Sequence, residues 1–476
     1  MDLRKKVLSG LGWSAGARFL SQLVTWAITL VVIRLLTPAD YGLMAIAGMF
    51  MFFFALLNEL GMGAALVQKR KLDESILQQV FGLLLLVNFC FFLLLSFSSP
   101  LIAIFFNEPR LSSIIRVLSL QFLLLGFSTI PQSILMRKMD FKAISMADFT
   151  SAIAGSLITL IMAVFGCGVW SLVIGMLITS FWRTIYLNII SPYLHFPRFS
   201  FTNMKHIISF GGYVTTNRVL WFVLIQSDVF IIGKILGKEL LGFYSVATEI
   251  ASLPMQKISG IISQVAFPAY SSVQNELEKA KSHFLKSIRI MSLFAFPILW
   301  GISSIAPEIV TLLLGDKWQL SALPIQLLSL VIPLRMINNL FDPTVLGLGR
   351  PDISFSIILF SAIAMPIAIL VGVNWGIVGV SLAWIIAYPL IFLYNLSRIL
   401  PFLRIRMHDF FYAIAKPVIT SLIMYGAVIG FKTISGNTCS LSSLLLLIAA
   451  GSTVYCGMTI TLNKEGCREA LNLIRI

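Results

Sequence analysis

Long apolar runs set the strongest limit on what this chain can fold into. Several of them exceed 18 residues, and they lack the alternation of apolar and polar residues that is typical of a β-strand. Apolar runs of this length are the signature of transmembrane α-helices, whereas a membrane β-barrel would show short alternating segments. Of the 476 residues, 58% are hydrophobic and 12% are charged, and charged residues make up about a quarter of soluble domains. The sequence therefore predicts an all-α polytopic membrane protein.

The apolar runs form two sets of six and a final pair, which gives about 14 transmembrane helices. We expect an N-terminal six-helix bundle over residues 1–198, a second six-helix bundle over 199–403, and two additional helices with a cytoplasmic tail over 404–476. The predicted spans lie near residues 10–36, 41–67, 77–97, 111–136, 143–165, 168–190, 207–236, 241–272, 284–313, 319–347, 353–373, 375–399, 410–431 and 440–462.

The distribution of positive charge predicts the orientation of these spans. The formal net charge is +15, and most of the 35 lysines and arginines fall in alternate connections, beginning with Arg4, Lys5 and Lys6 before the first span. Membrane proteins concentrate Lys and Arg in their cytoplasmic loops. We therefore expect both termini in the cytoplasm. The basic charge needs no nucleic-acid partner to explain it.

The second set of six spans repeats the first in sequence. Each set begins on the same side of the membrane, so the two would be parallel repeats, a design in which transporters bind substrate between the halves near the midplane. When the sequence is aligned with itself at an offset of 200 residues and without gaps, identical residues coincide. The matched pairs are Ser9 and Ser209, Gly12 and Gly212, Arg18 and Arg218, Leu36 and Leu236, Gly42 and Gly242, and Ala47 and Ala247.

Charged and polar side chains within the spans are the candidate functional residues. A charge at the bilayer centre costs about 3 kcal/mol on insertion scales, so such residues usually face a protein interior or a water-filled cavity. Cations would suit an anionic substrate, because Arg binds phosphate and carboxylate through paired hydrogen bonds. The candidates for substrate binding are Arg18, Glu59, Asn217, Arg218, Lys257 and Arg335, and those for ion coupling are Asp228 and Glu249.

Asp228 and Asn217 lie on the seventh span and are separated by three helical turns, which places them on one face about 16 Å apart. An ion pair between helices that only fixes packing is the alternative role for Arg218 and Asp228. Arg218 has a counterpart in Arg18, but Asp228 matches Ile28. The two repeats would therefore not contribute equally to coupling.

The sequence lacks the motifs of soluble catalysis. It contains no P-loop, no nucleophile elbow and no metal-binding spacing of His or Cys, and its five cysteines are scattered. We expect no enzyme activity, no metal and no bound cofactor, although the carboxylates within the spans could take H⁺ or Na⁺ from a gradient for coupling.

Four runs of residues resemble a known family. They are RLLTPADYG from Arg34 to Gly42, SDVFIIGKILG from Ser227 to Gly237, FPAY from Phe267 to Tyr270, and GDKW from Gly315 to Trp318. Their order along the chain is similar to that of bacterial Wzx-type polysaccharide flippases, in particular the colanic-acid-exporter subgroup of the multidrug/oligosaccharidyl-lipid/polysaccharide exporter superfamily.

This resemblance implies two six-helix bundles in a V around a central cavity, working by ion-coupled alternating access. It implies a substrate, an undecaprenyl-pyrophosphate-linked oligosaccharide, that moves from the cytoplasmic to the periplasmic leaflet. A polymerase and other polysaccharide-assembly proteins would be partners. Three alternatives stay open: an extruder of multiple drugs or organic cations from the same superfamily, an uncoupled scramblase, and a scaffold of a polysaccharide-assembly complex.

Overall fold

The protein is α-helical throughout the part that a computed structural model describes. The described residues are 22, 24–58, 74–193, 195–199, 205–274, 276–435, 440–464, 466, 468 and 469, and no β-strand occurs among them. Ten helical segments in these ranges are long and apolar enough to cross a membrane. The predicted fold class, an all-α polytopic membrane protein, is confirmed.

The helices fall into two compact units. The first contains the described parts of Met1–Phe222 and Gly233–Gly242, and the second contains Val223–Ile232 and the described parts of Phe243–Ile476. The predicted repeat boundary at residue 199 and the V arrangement stay predictions. The helices are α1 (Val24–Leu35), α2 (Pro38–Asn58), α3 (Glu74–Phe105), α4 (Arg110–Arg137), α5 (Phe141–Val164), α6 (Val169–Ile190), α7 (Lys205–Ile235), α8 (Gly237–Ser272), α9 (Leu277–Ser304), α10 (Ala322–Asn338), α11 (Phe341–Gly347), α12 (Pro351–Gly372), α13 (Gly376–Phe402), α14 (Met407–Ser435) and α15 (Leu441–Leu462).

In the first unit, the starts of α2 and α8 cross at two glycines. A Cβ atom on Gly42 would lie 1.7 Å from the carbonyl oxygen of Lys238, and one on Gly242 would lie 1.7 Å from that of Pro38. Small residues allow membrane helices to approach this closely. Because Gly42 and Gly242 are matched in the repeat, each helix makes the same contact with the other. This reciprocity is consistent with the predicted duplication.

The end of the first repeat packs back onto α3. The ring of Tyr193 contacts Phe81 with 5.5 Å between ring centroids, and His195 Nδ1 lies 2.8 Å from Glu74 Oε1. Burial, and secondarily the negative charge of Glu74, raises the pKa of Tyr193 above its ordinary value. These contacts hold Tyr193 and His195 against α3 within the first unit.

In the second unit, α9 carries both of the last helices. The Tyr455 hydroxyl on α15 donates to the Leu293 carbonyl at 2.6 Å, and Arg289 donates two hydrogen bonds to Glu469 at 3.0 and 2.7 Å. Beyond the end of α9, Lys432 on α14 pairs with Glu308 at 2.7 Å. These contacts attach the two additional helices along the length of α9.

Candidate functional site

Asp228 and Tyr244 meet because a tight turn folds α8 back along α7. Asp228 lies seven residues before the end of α7 at Ile235, and Tyr244 lies seven residues after the start of α8 at Gly237. At 1.5 Å per residue, both side chains are about 10 Å from the turn, so they face each other at the same depth. Gly237 supplies the left-handed backbone of the turn, with φ of 83°.

The Asp228 carboxylate is buried and held by two donors. It is 4% exposed, the Tyr244 hydroxyl donates to Oδ2 at 2.9 Å, and the Val229 N–H lies 2.8 Å from Oδ1. Tyr244 is itself buried. The sequence predicts that residues 207–236 span the membrane, and a carboxylate in a membrane-spanning helix usually marks an ion or proton path. Here the phenol fixes its orientation.

Arg335 supplies the positive charge of the site. Its guanidinium lies 4.3 Å from the ring centroid of Trp384 on α13, and Arg335 attracts the Asp228 carboxylate electrostatically. Stacking of this kind stabilises an arginine, more strongly where water is excluded. Trp384 and Tyr388, one turn later on α13, are almost completely buried.

The Arg335 guanidinium keeps its hydrogen-bonding capacity. It makes no hydrogen bond or ion pair with any residue in the described ranges, and its side chain is partly exposed. A guanidinium has five N–H donors that match the oxygens of phosphate or carboxylate. The site therefore combines a buried carboxylate, which can bind H⁺ or Na⁺, with a cation that can bind an anionic group.

The other predicted residues lie apart from this cluster or outside the described parts. Asn217 and Arg218 are partly buried in the section of α7 that belongs to the first unit, and the Asn217 Oδ1 atom is buried with no hydrogen-bond partner among the described residues. Glu249 is exposed on α8. Arg18 and Glu59 lie outside the described residues, as does the side chain of Lys257.

Sequence reasoning missed three members of the site, namely Tyr244, Trp384 and Tyr388. Tyr244 had a usable signal, because Asp228 and Tyr244 lie at equal distances along the chain from Leu236, in the turn between the two helices. Trp384 and Tyr388 are one turn apart, which is an ordinary spacing for helix packing. Nothing in the sequence links Trp384 to Arg335, so only the packing of α10 on α13 reveals their contact. No group of three or more His, Cys, Asp or Glu side chains that could hold a metal occurs within the described ranges.

More than half of the chain matches a known protein family. A family model described as "Polysaccharide biosynthesis protein" matches residues 31–323, which is more than half of the chain. The chain belongs to this family. The matched region includes Asp228 and Tyr244 and ends before Arg335.

Curated relatives in bacteria cover most of the chain. It is 27% identical over 394 residues to the lipopolysaccharide biosynthesis protein WzxC of Escherichia coli (strain K12), a match that covers 81% of this chain and 79% of WzxC. It is 25% identical over 474 residues to the teichuronic acid biosynthesis protein TuaB of Bacillus subtilis (strain 168), covering 95% of each chain. The predicted resemblance to polysaccharide flippases is confirmed at the level of the family.

Solved structures share the fold. The lipid II flippase MurJ in an inward closed conformation superposes with a TM-score of 0.76 at 18% identity, covering 94% of this chain and 98% of MurJ. An inward-facing multidrug resistance transporter of the MATE family gives a TM-score of 0.61 at 14% identity, covering 80% and 95%. At these identities the likeness shows the fold alone.

Proposed function

We propose that the chain is a flippase that moves an undecaprenyl-pyrophosphate-linked oligosaccharide from the cytoplasmic to the periplasmic leaflet by ion-coupled alternating access. The observation that carries the proposal is the buried Asp228–Tyr244 pair, with Arg335 close enough to attract the carboxylate. Membership of a polysaccharide biosynthesis family and the names of WzxC and TuaB support a glycan as the cargo. The chain would be a transporter and not an enzyme.

Ion coupling is assigned to Asp228, with Glu249 as a second carboxylate. The burial argument applies to Asp228, because a carboxylate that is taken out of water favours a bound proton or cation over its bare charge. The Tyr244 hydroxyl can hold Asp228 in one orientation in both the ion-bound and the ion-free state. An inward H⁺ or Na⁺ gradient would then reset the transporter, with no other cofactor.

Substrate binding is assigned to the cations. Arg335 would bind the pyrophosphate or an acidic sugar with its unpaired donors. Arg18, Glu59, Asn217, Arg218 and Lys257 keep the substrate-binding role predicted from the sequence. The polyprenyl tail would stay in the bilayer of the inner membrane, with both termini of the protein in the cytoplasm. A polymerase would act on the product.

The test is a flipping assay with the purified full-length chain in proteoliposomes. Lipid-linked oligosaccharide is placed in one leaflet, an H⁺ or Na⁺ gradient is imposed, and its appearance in the other leaflet is followed. We expect gradient-dependent flipping that Asp228→Asn abolishes. Asp352→Asn is the matched control, since Asp352 is also an aspartate on a helix but pairs with Arg350 at an exposed helix start, away from the Asp228–Tyr244 pair.

Three outcomes would contradict the proposal. Flipping at the same rate without any gradient would indicate an uncoupled scramblase. Transport of organic cations in place of the glycolipid would indicate a multidrug extruder. No transport of either class by a well-folded protein would leave a scaffold role. Arg335→Gln should weaken substrate binding more than Arg335→Lys, because lysine keeps the charge and loses the paired donors.

A further inference from the structure

A polar cavity in the first unit lies where α2, α4 and α6 begin. It has a volume of about 330 Å³, which is within the range of small-ligand pockets. We call it the turn pocket. It is lined by Asp40, Arg110, Ser113, Ile114 and the turn of residues 166–170 between α5 and α6. The predicted orientation of the chain places this end of the unit on the periplasmic side.

Asp40 is a structural part of the turn pocket. Its carboxylate accepts hydrogen bonds from the Thr37 N–H at 3.0 Å, the Thr37 hydroxyl at 2.7 Å and the Val169 N–H at 3.0 Å. The bond from the Thr37 N–H, together with a bond from the Asp40 N–H to the Thr37 hydroxyl oxygen at 3.3 Å, forms a capping box at the start of α2. The bond from Val169 caps the start of α6. The negative charge of Asp40 is thus satisfied by the protein.

The groups that remain available are mainly donors. Arg110 has an exposed side chain that makes no hydrogen bond or ion pair within the part of the chain that the structure describes. Trp170 is partly buried, and its indole N–H makes no hydrogen bond there either. The Ser113 hydroxyl donates to the Arg110 carbonyl at 2.9 Å and can still accept. A ligand for this set needs acceptor oxygens and an anionic charge.

The matching turn in the second repeat shows that a turn of this kind does not require a tryptophan. Gly166 and Gly376, 210 positions apart, both have a left-handed backbone, with φ of 75° and 69°. In the second turn Val380 stands at the position of Trp170. The helices there close on each other, because a Cβ atom on Gly379 would lie 2.1 Å from the Gly372 carbonyl oxygen. The same turn therefore forms without the tryptophan.

We propose that the turn pocket binds a sugar ring that carries a carboxylate. The Arg110 guanidinium takes the carboxylate through paired hydrogen bonds, as arginine does with planar anions. The Trp170 indole packs against the apolar face of the ring, and the Ser113 hydroxyl accepts from a ring hydroxyl. The assignment of this sugar to the transported glycan rests on the proposed flippase function.

Cys167 provides a reporter inside the turn pocket. Its side chain is exposed and lines the cavity. The other four cysteines, Cys90, Cys439, Cys456 and Cys467, are replaced by alanine in the full-length chain, and the rate of maleimide labelling at Cys167 is measured in lipid nanodiscs. The probes are sodium glucuronate, glucose as its neutral counterpart, and sodium acetate as a carboxylate without a ring. We expect glucuronate to slow labelling at concentrations where glucose and acetate do not.

Variants identify the residue responsible. Arg110→Ala should raise the glucuronate concentration needed for half-protection by about tenfold or more, because a charge-assisted pair is lost. Arg116→Ala, on the same helix but outside the pocket lining, should leave protection unchanged. The labelling rate of each variant in the absence of any sugar or acetate is compared with that of the parent protein, which checks that the pocket is intact. Asn374→Cys in a Cys167→Ala background places the reporter in the second turn and should show no protection.

The proposal is overturned if acetate or glucose protects Cys167 from labelling as well as glucuronate does. It is also overturned if glucuronate protects Cys167 in Arg110→Ala as well as in the parent protein. A glycolipid with a terminal glucuronate is the second arm of the experiment. If free glucuronate protects Cys167 and this glycolipid does not, the pocket binds the sugar but the sugar is not part of the transported glycan. Flipping of a neutral glycolipid tests the proposed function separately, because it does not depend on Arg110.

Discussion

The ion pair between Glu308 and Lys432 should be the most sensitive polar contact of the two last helices. Glu308 lies in the helical turn after α9, and Lys432 lies in the last turn of α14, where a cation is favoured by the helix dipole. Their side chains are only 8% and 16% exposed, and the Lys432 ammonium also donates to the Ser304 carbonyl at 3.1 Å. The pair is therefore largely removed from water.

Lys432→Ala would leave the Glu308 carboxylate buried without its cation. Breaking a buried ion pair from one side costs about 3–5 kcal/mol, because the remaining charge stays desolvated. Replacement of both partners by similar-sized uncharged groups is often neutral or stabilising by about 1–4 kcal/mol. We therefore expect Glu308→Gln with Lys432→Met to be clearly more stable than Lys432→Ala alone.

The assay is reversible unfolding of the purified protein in mixed micelles, with the free energy of unfolding measured for each variant. Lys279→Ala is the matched control, because Lys279 pairs with Glu276 at an exposed site where a pair contributes about 0–1 kcal/mol. If Lys432→Ala costs no more than Lys279→Ala, the burial argument is wrong. If the double variant is as unstable as Lys432→Ala, the loss comes from packing and not from an orphaned charge.

Other substitutions probe the helix contacts and the candidate site. Gly42→Ala places a Cβ 1.7 Å from a backbone oxygen and should destabilise the first unit by about 3 kcal/mol or more. Gly48 has open space around it, so Gly48→Ala should be neutral or should stabilise by up to about 1 kcal/mol. Thermal unfolding of the two variants compares these effects. Arg289→Lys should loosen the C-terminal segment, seen as faster proteolysis after α15, because the two bonds to Glu469 need a guanidinium. Asp228→Ile with Tyr244→Met should keep the fold and lose ion-dependent flipping.

Hydropathy predicted the helices because a bilayer leaves few choices for an apolar chain. A run of about 20 apolar residues has to satisfy its backbone internally, which makes it a helix whatever its neighbours are. The turn at Gly237 was also visible in the sequence, within the run from Ser227 to Gly237. The fold class and the family therefore followed from local patterns.

The partners of the charged residues could not be predicted in the same way. Lys432 directly follows the predicted span near 410–431, and its pairing with Glu308 depends on how α14 packs on α9. Arg335 was a candidate because it is a charge within a span, but its stacking on Trp384 depends on the contact of α10 with α13. Pairings between helices that are distant in the chain leave no periodic signal, so they follow only from the three-dimensional packing.

The two repeats differ at the pair that we assign to coupling. This difference makes it possible to test whether the pair is needed for folding or for transport. Ile28 and Met44 stand in the first repeat where Asp228 and Tyr244 stand in the second. Ile28 is buried in α1 as Asp228 is buried in α7, so an apolar residue fits the matching position. Replacing a buried polar pair by apolar residues is commonly neutral or stabilising when the volumes are compatible, and here a larger residue replaces Asp228 while a smaller one replaces Tyr244.

The double variant, Asp228→Ile with Tyr244→Met, decides between a role in transport and a role in the fold. If it folds like the parent and flips without ion dependence, or not at all, the polar pair serves transport. Full ion-dependent flipping by the same variant would remove Asp228 from the coupling mechanism, and failure to fold would make the pair architectural.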